Sequence, residues 1–459
     1  MAELQFSLRD TLLKLLEEKR YYSLRDLFNT MNPADIAAVF EDIDETRLPL
    51  LFRLLPKELA AETFVEMEPE QQELLIRGFS DSELKEVIDE LYVDDAVDIV
   101  EEMPANVVQR ILTQAEPEMR KQINEILRYP ENSAGSLMTT EYVSLRPSMT
   151  VEEAILRIRR TGIDKETIYT CYVTRGHKLI GLVTVKDLLL CEDDDAKIES
   201  IMQEHVISVN TLDDQEQVAQ MFSKYNFLAL PVVDTEDRMV GIITFDDAMD
   251  VMEDETTEDM EKMAAMLPSE HPYMRSTPIE IWKNRIPWLL LLMVSATLTG
   301  IVITKFEDSL AVLPCLTAFI PMLMDTGGNS GSQACVSIIR GISLNEIEFS
   351  DLGRVVWKEI RVSVLCGVCL AAACFAKIVV VDMLLLKSES VSYMVAFVVC
   401  ITMAVTVCLA KIVGSTLPLL AKKLGFDPAV MASPIITTIV DFLSLLVYFA
   451  FASSILHIG

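Results

Sequence analysis

Apolar positions change rhythm along the 459-residue chain, and each rhythm predicts a different kind of element. Over residues 4 to about 129 they recur at three-and-four spacing in short runs, which predicts amphipathic helices. Prolines at Leu55-Pro56, Glu68-Pro69, Met103-Pro104 and Glu116-Pro117 separate these runs, so the helices stack as a small superhelical bundle. Over residues 137–253 the pattern becomes strands alternating with helices, and it repeats. Leu137-Met138 followed by Val143-Ser144-Leu145 returns as Ile201-Met202 followed by Val206-Ile207-Ser208-Val209. Gly181-Leu182-Val183-Thr184 through Asp187 returns as Gly241-Ile242-Ile243-Thr244 through Asp247, each unit reading strand, helix, strand, strand, helix. Beyond Trp288 come apolar stretches at 288–304, 310–324 resumed at 334–342, 362–386, 391–421 and 429–456. A bilayer crossing takes about 20 apolar residues, so five spans fit. The predicted fold class is mixed: an α-helical superhelical N-domain, a tandem α/β pair, a connecting helix and a five-helix all-α transmembrane domain.

Charge divides along the same line. Through Lys283 there are 28 Lys+Arg against 59 Asp+Glu, and from Asn284 onward 11 against 11, so the whole net charge of -31 precedes the spans. An acidic module joined to a neutral membrane module points to a cation, because carboxylates are the natural oxygen ligands of hard divalent ions. Basic partners fit this charge, whereas nucleic acid is not expected as a partner, since no Lys/Arg patch is present to neutralise phosphates. Seven of the nine cysteines lie in apolar runs, where a small polarizable side chain packs well. Cys366-Gly-Val-Cys369 has redox or zinc spacing but no second pair or nearby histidine. His177, His205, His271 and His457 form no cluster and no nucleophile motif stands out, so an enzyme is not expected. Residues 1–10 carry acids early and show no apolar core of a signal peptide. Lys283 and Arg285 precede the first span, Arg340, Arg354, Lys358 and Arg361 follow the second, and Lys422 and Lys423 follow the fourth. The positive-inside rule then places the N-terminus in the cytosol and the C-terminus outside.

Three groups of polar residues carry candidate chemistry. Asp94 and Asp98 stand one turn apart on a helix, a spacing that an ordinary solvated acidic face also produces. Asp247, Asp250, Asp254, Glu258 and Glu261 form a stripe on one helix, thickened by Glu253, Glu255 and Asp259, and such a stripe calls for counter-cations. Within the spans, Pro321 to Gln333 reads as a glycine-rich polar break, with Asp325, Asn329, Ser332 and Gln333 on one face. Irregular backbone at that depth survives only against protein or a water-filled path. Close packing through small residues is the other explanation of the glycines, including Gly328. In the last span Thr437, Asp441, Ser444 and Tyr448 form a polar stripe. An aspartate at a helix centre costs about 2.5–3.5 kcal/mol on insertion scales, so Asp441 faces a pore, an ion or a partner, with Lys377 and Lys411 the available lysines.

The order of these modules, the segment Pro321 to Gln333, and Phe426-Asp427-Pro428-Ala429 with Ser433-Pro434, Thr437-Thr438 and Asp441 resemble the MgtE family of magnesium channels over essentially the whole chain. The central repeat resembles a tandem pair of CBS domains. The resemblance implies an acidic helical N-domain at 1–130, CBS domains at 131–200 and 201–250, a connecting plug helix at 251–283 and a five-span pore domain at 284–459. It implies a homodimer in membrane lipid whose second and fifth spans line one pore, with Asp441, Asn329, Gly328, Thr437 and Asp325 around the selectivity site and Asp427 at the cytosolic mouth. It also implies regulatory Mg2+ ligands at Asp94, Asp98, Glu216, Asp247, Asp250, Glu255, Glu258 and Asp259. ATP at the CBS pair would meet Lys186, Asp187 and Phe227. Two departures stand out: Asn226 lies near an expected acid, and Lys186 replaces a more usual arginine.

The expected function is a Mg2+-selective channel of the plasma membrane that closes when cytosolic Mg2+ fills the acidic sites. An ion-coupled secondary transporter and a membrane-anchored CBS sensor are the alternatives. Magnesium dehydrates reluctantly, and two symmetry-related Asp441 carboxylates would suit a still-hydrated ion.

Overall fold

The computed structural model describes residues 11–12, 14–41, 43–269, 273–274, 276–387, 390–431 and 433–457. Residues 1–10 and His271, both weighed above, lie outside the described residues. The chain divides into two units, 1–252 and 253–459.

The first unit opens with a run of short helices from Tyr21–Phe28 to Pro117–Ile126. Pro69 and Pro117 stand in the first turn of their helices, and Pro56 and Pro104 immediately precede theirs. Proline suits these positions because its missing N–H would have no intrahelical partner there. The prolines expected to punctuate the helices therefore begin them. Each helix buries one stripe, and Leu24, Phe28, Ile36, Phe40, Phe64 and Leu75 build a single core. Helix α1, Val93–Glu102, belongs to this bundle and turns Val93, Ala96, Val97 and Val100 inward.

Two three-stranded sheets follow, each with one parallel and one antiparallel pairing. In the first, strand β1 (Tyr142–Leu145), helix α2 (Val151–Thr161), strands β2 (Thr167–Arg175) and β3 (Lys178–Thr184) and helix α3 (Val185–Leu190) run in the predicted order. In the second, β4 (Val209–Asn210), α4 (Gln215–Tyr225), β5 (Ala229–Val233), β6 (Met239–Thr244) and α5 (Phe245–Met263) repeat it. The repeats exchange their lead-in segments: Thr139 bridges Ile242 on β6, and Gln203 bridges Leu182 on β3. Each crossing passes over a glycine. A Cβ on Gly241 would stand 2.6 Å from the Thr139 carbonyl, and one on Gly181 3.0 Å from the Gln203 carbonyl. The repeated glycine in the sequence is therefore a close-approach position.

The second unit is helical. Four stretches among its described residues are long and apolar enough to cross a membrane: Pro278–Lys305, Phe349–Leu385, Tyr393–Lys423 and Pro428–Leu456. They contain helices α6 (Pro278–Ser295), α8 (Leu352–Lys377), α9 (Tyr393–Lys423) and α10 (Ser433–Leu456). Between α6 and α8 lies α7, Ile320–Ser343, which packs on α9 and α10. Its 24 residues reach ~36 Å at about 1.5 Å per residue, yet its polar middle separates it from the four apolar stretches.

The expected break at Pro321 to Gln333 is absent, because α7 is helical throughout. Its glycines serve packing instead. A Cβ on Gly414 of α9 would stand 2.2 Å from the Gly331 carbonyl oxygen of α7. Two backbones meet there without interrupting either hydrogen-bond ladder.

Candidate functional site

Helices α7 and α10 form an open cavity of about 490 Å3 lined by Ile320, Pro321, Met324, Asp325, Gly328, Asn329, Thr437 and Asp441. Helical spacing explains the set: Gly328 and Asn329 lie three and four residues after Asp325 on α7, and Asp441 lies four after Thr437 on α10. Gly328 brings the helices together, for a Cβ there would stand 2.9 Å from Thr437 Cγ2. The Thr437 hydroxyl donates to the Pro434 carbonyl at 2.9 Å, which fixes its rotamer. The lining holds two carboxylates and no basic side chain.

Neither candidate lysine reaches Asp441. Lys377 pairs with Asp382 at 2.9 Å and Lys411 with Glu359 at 3.6 Å. All five pore residues expected from the sequence share this one space. The rest of each polar stripe does not. Ser444 is buried and donates to the Val440 carbonyl at 2.6 Å, while buried Tyr448 donates to the Leu316 carbonyl at 3.0 Å. Both satisfy their hydroxyls inside the helix packing, as buried polar groups must. Ser332 and Gln333 also fall outside the cavity lining.

A second group lies at the end of this unit where α7 and α9 finish and α10 begins. Asp427 accepts from the Ala429 backbone N–H at 2.8 Å, and its Oδ2 lies 2.7 Å from Lys262 Nζ near the end of α5. Lys262 also lies 2.6 Å from Glu258. The Ser343 hydroxyl donates to Asp259 at 3.4 Å, and burial together with nearby Asp427 pushes the Asp259 carboxyl upward in pKa. Met263 packs against the apolar cluster of Cys335, Ile339, Ala410, Ile436 and Val440.

The third group is in the first unit. Asp94 is 8% exposed, and its Oδ1 is buried without a hydrogen-bond partner. Burial, then the charges of Asp247, Asp95 and Glu166, push its pKa well up. Burial followed by Asp247 raises Asp95 to about 7 and Asp98 to about 7. Glu166, whose Oε2 is also buried without a partner, is raised to about 8 by burial and then by Asp95, Asp246 and Asp247. Asp247 is raised to about 6 by burial, although its Oδ2 accepts from the Thr244 hydroxyl at 2.5 Å and caps α5. Burial and mutual repulsion disfavour the ionised form of these carboxyls, and a bound cation would stabilise it. Among the described residues no three acids, cysteines or histidines stand ready around one metal position.

Sequence spacing paired Asp94 with Asp98 but left Asp95, Glu141 and Glu166 unassigned. Glu141 accepts from the Val93 N–H at 3.2 Å at the start of α1, and Glu166 directly precedes β2. Neither position carries a local signal, since only the packing of α1 beside these strands makes them relevant. Glu216 accepts from Gln220 at 3.1 Å in the first turn of α4, Asp250 follows Asp247 along α5, and Glu255 lies further along that helix. Asn226 has its own reason: it terminates α4 at φ 55° in the left-handed region, which asparagine tolerates better than most residues. Of the nucleotide candidates, Asp187 accepts from the hydroxyl of Thr184, the N-cap of α3, at 2.6 Å, Phe227 stacks on Tyr225 at 5.4 Å, and Lys186 is exposed.

Comparison with known proteins assigns the modules. A family profile for divalent cation transporters matches residues 320–451, the MgtE intracellular N domain matches 31–132, and CBS domains match 134–192 and 198–254. The magnesium transporter MgtE of Thermus thermophilus is 34% identical over 97% of this chain and 98% of its own. The magnesium transporter MgtE of Bacillus subtilis is 30% identical over 96% of each. The crystal structure of the cytosolic domain of the Mg2+ channel MgtE in complex with ATP is 36% identical, with a TM-score of 0.51, and covers 53% of this chain and 99% of that one. Modules, order and overall identity agree, and the chain belongs to the MgtE family of divalent cation transporters and is an integral membrane transporter rather than an enzyme.

Proposed function

We propose that this protein conducts Mg2+ across the plasma membrane as a homodimer, with α7 as a fifth crossing and Asp441 as the ion-recognising group. The observation that carries this reading is the α7–α10 cavity, where Asp441 and Asp325 meet Asn329 and Thr437 while both candidate lysines are engaged elsewhere. Magnesium holds its six waters tightly, so a pore recognises it through charge and through hydrogen bonds to those waters. Asp441 would supply the charge, and Asn329, Thr437 and nearby carbonyls the acceptors. Twofold symmetry would double the carboxylates. The N-terminus is cytosolic on this reading and the C-terminus outside.

The acidic groups that precede the spans supply the regulation. Asp94, Asp98 and Asp247, with Glu216, Asp250, Glu255, Glu258 and Asp259, would bind cytosolic Mg2+ when it is abundant. Filled sites favour a compact state in which α5 closes the pore, and differential binding to the two states suffices for this. ATP at the CBS pair, through Lys186, Asp187 and Phe227, extends the reading on the likeness to the cytosolic domain solved with that nucleotide.

The test is flux into liposomes holding only the purified chain. Asp441→Asn should lower Mg2+ uptake at least about tenfold, the equivalent of about 1.4 kcal/mol of lost recognition. Uptake equal to that of the unaltered chain would remove Asp441 from the conducting path.

A further inference from the structure

At the mouth formed by the ends of α7 and α9 and the start of α10, a lysine stands where the proposed function would place a metal ion. Lys262 Nζ touches the Asp427 carboxylate at 2.7 Å and the Glu258 carboxylate at 2.6 Å, with its side chain 21% exposed. Glu258 lies one turn before Lys262 on α5, the orientation in which a glutamate best steers a lysine. Asp259, next to Glu258 on α5, accepts from the Ser343 hydroxyl of α7 at 3.4 Å. Two carboxylates thus share one ammonium. Without it they would repel, because like charges in a partly enclosed site are weakly screened.

The end of α5 also has anchors that do not depend on charge. Met263 packs against the cluster of Cys335, Ile339 and Ile436. Beyond it the Leu267 N–H donates to the Asn284 carbonyl at 2.9 Å, and the Asn284 amide donates to the Pro268 carbonyl at 3.3 Å. Losing the charge of Lys262 should therefore weaken the docking of α5 without erasing its register.

We propose that Lys262 is a built-in counterion that occupies Asp427 and holds α5 against this mouth without any bound metal. The inference rests on the gating reading above, in which a docked α5 closes the path. Lysine suits the task because its ammonium is a compact charge with three donors on a flexible stem, able to serve two carboxylates and to leave. Closure then has two contributions: ion binding to the acidic sites, and a fixed lysine tether that sets how much ion is needed.

The experiment measures Mg2+ uptake by the full chain in liposomes while internal Mg2+ is varied. Lys262→Gln should raise uptake at the lowest internal Mg2+ about threefold, the scale of one partly exposed ion pair, and should raise the half-inhibiting concentration similarly. Lys262→Arg should stay near the unaltered chain. Lys262→Met, which removes the charge but keeps the apolar stem, should behave as Lys262→Gln does, which keeps the test decisive even if Lys262→Gln folds poorly. Unchanged uptake in Lys262→Gln overturns the proposal. Inhibition at lower Mg2+ in that variant also overturns it, because the ion and not the lysine would then hold the closed state. If the unaltered chain shows no inhibition by internal Mg2+, the gating reading falls, while the uptake of Lys262→Gln at low Mg2+ still reports on the tether.

Discussion

Lys411 on α9 and Glu359 on α8 form an ion pair at 3.6 Å with side chains only 7% and 14% exposed. Both charges are withdrawn from water, and the Glu359 Oε2 has no hydrogen-bond partner. The pair joins α8 to α9, and on α9 Gly414 meets Gly331 of α7.

Breaking this pair from one side should cost more than removing it. Lys411→Met or Glu359→Gln leaves an uncompensated enclosed group, a loss of about 3–5 kcal/mol for pairs of this kind, whereas replacing both by methionine is close to neutral. Thermal unfolding of the purified chain in detergent would separate the cases. Equal, mild effects in all three variants would show that the pair contributes little.

Gly414→Ala should be severe for its size. The added methyl carbon would stand 2.2 Å from the Gly331 carbonyl oxygen, and neither backbone can move without displacing a helix. Overpacking of this kind costs about 1–3 kcal/mol. Because α7 carries Asp325, Gly328 and Asn329, Mg2+ uptake should fall along with the melting temperature, and uptake assays on folded protein would check this. A variant with normal stability and normal uptake would show that the two helices separate freely.

Stability of the first unit should decline as pH rises through neutrality when Mg2+ is absent. Asp95 at about 7, Glu166 at about 8 and Asp247 at about 6 hold their protons more tightly folded than unfolded, where carboxyls titrate near ~4. The folded state then binds more protons between these limits, so this contribution is complete below pH ~4 and is lost as pH climbs through about 6 to 8. Hydrogen exchange in α1 of the full chain, read at pH 5 and pH 8, should show the loss. Mg2+ at saturating concentration should restore protection at pH 8. Asp94→Asn, which removes a buried charge with an unpartnered oxygen, should flatten the pH dependence and weaken inhibition of uptake by internal Mg2+. A pH response unchanged in that variant would place the titrating groups elsewhere.

Much of the architecture was legible because it is written in local periodicity. Short helices begun by prolines, two strand–helix repeats and long apolar stretches each follow from spacing alone, since they record which face of an element must leave water. Asp441 was equally legible, because an acid within an apolar helix demands an explanation that its neighbours need not provide. The polar segment of α7 reads either as a break or as a close-packing face for the opposite reason, and the structure takes the second. Glycines that interrupt a helix and glycines that admit another helix look alike until the partner is known, and here the partners are Gly414 and Thr437.

The sequence by itself determined the modules, their order, the position of the acid in the last apolar stretch and the confinement of net charge to the residues before the spans, because each is a property of neighbouring residues. Only the tertiary structure decided which polar groups share a space. It put Asp325 and Asn329 beside Asp441, turned Ser444 and Tyr448 into packing contacts, brought Glu166 among the acids of α1, and set Lys262 on Asp427. These pairings join residues far apart in the chain, and their distances depend on how helices and strands pack, which local spacing does not encode.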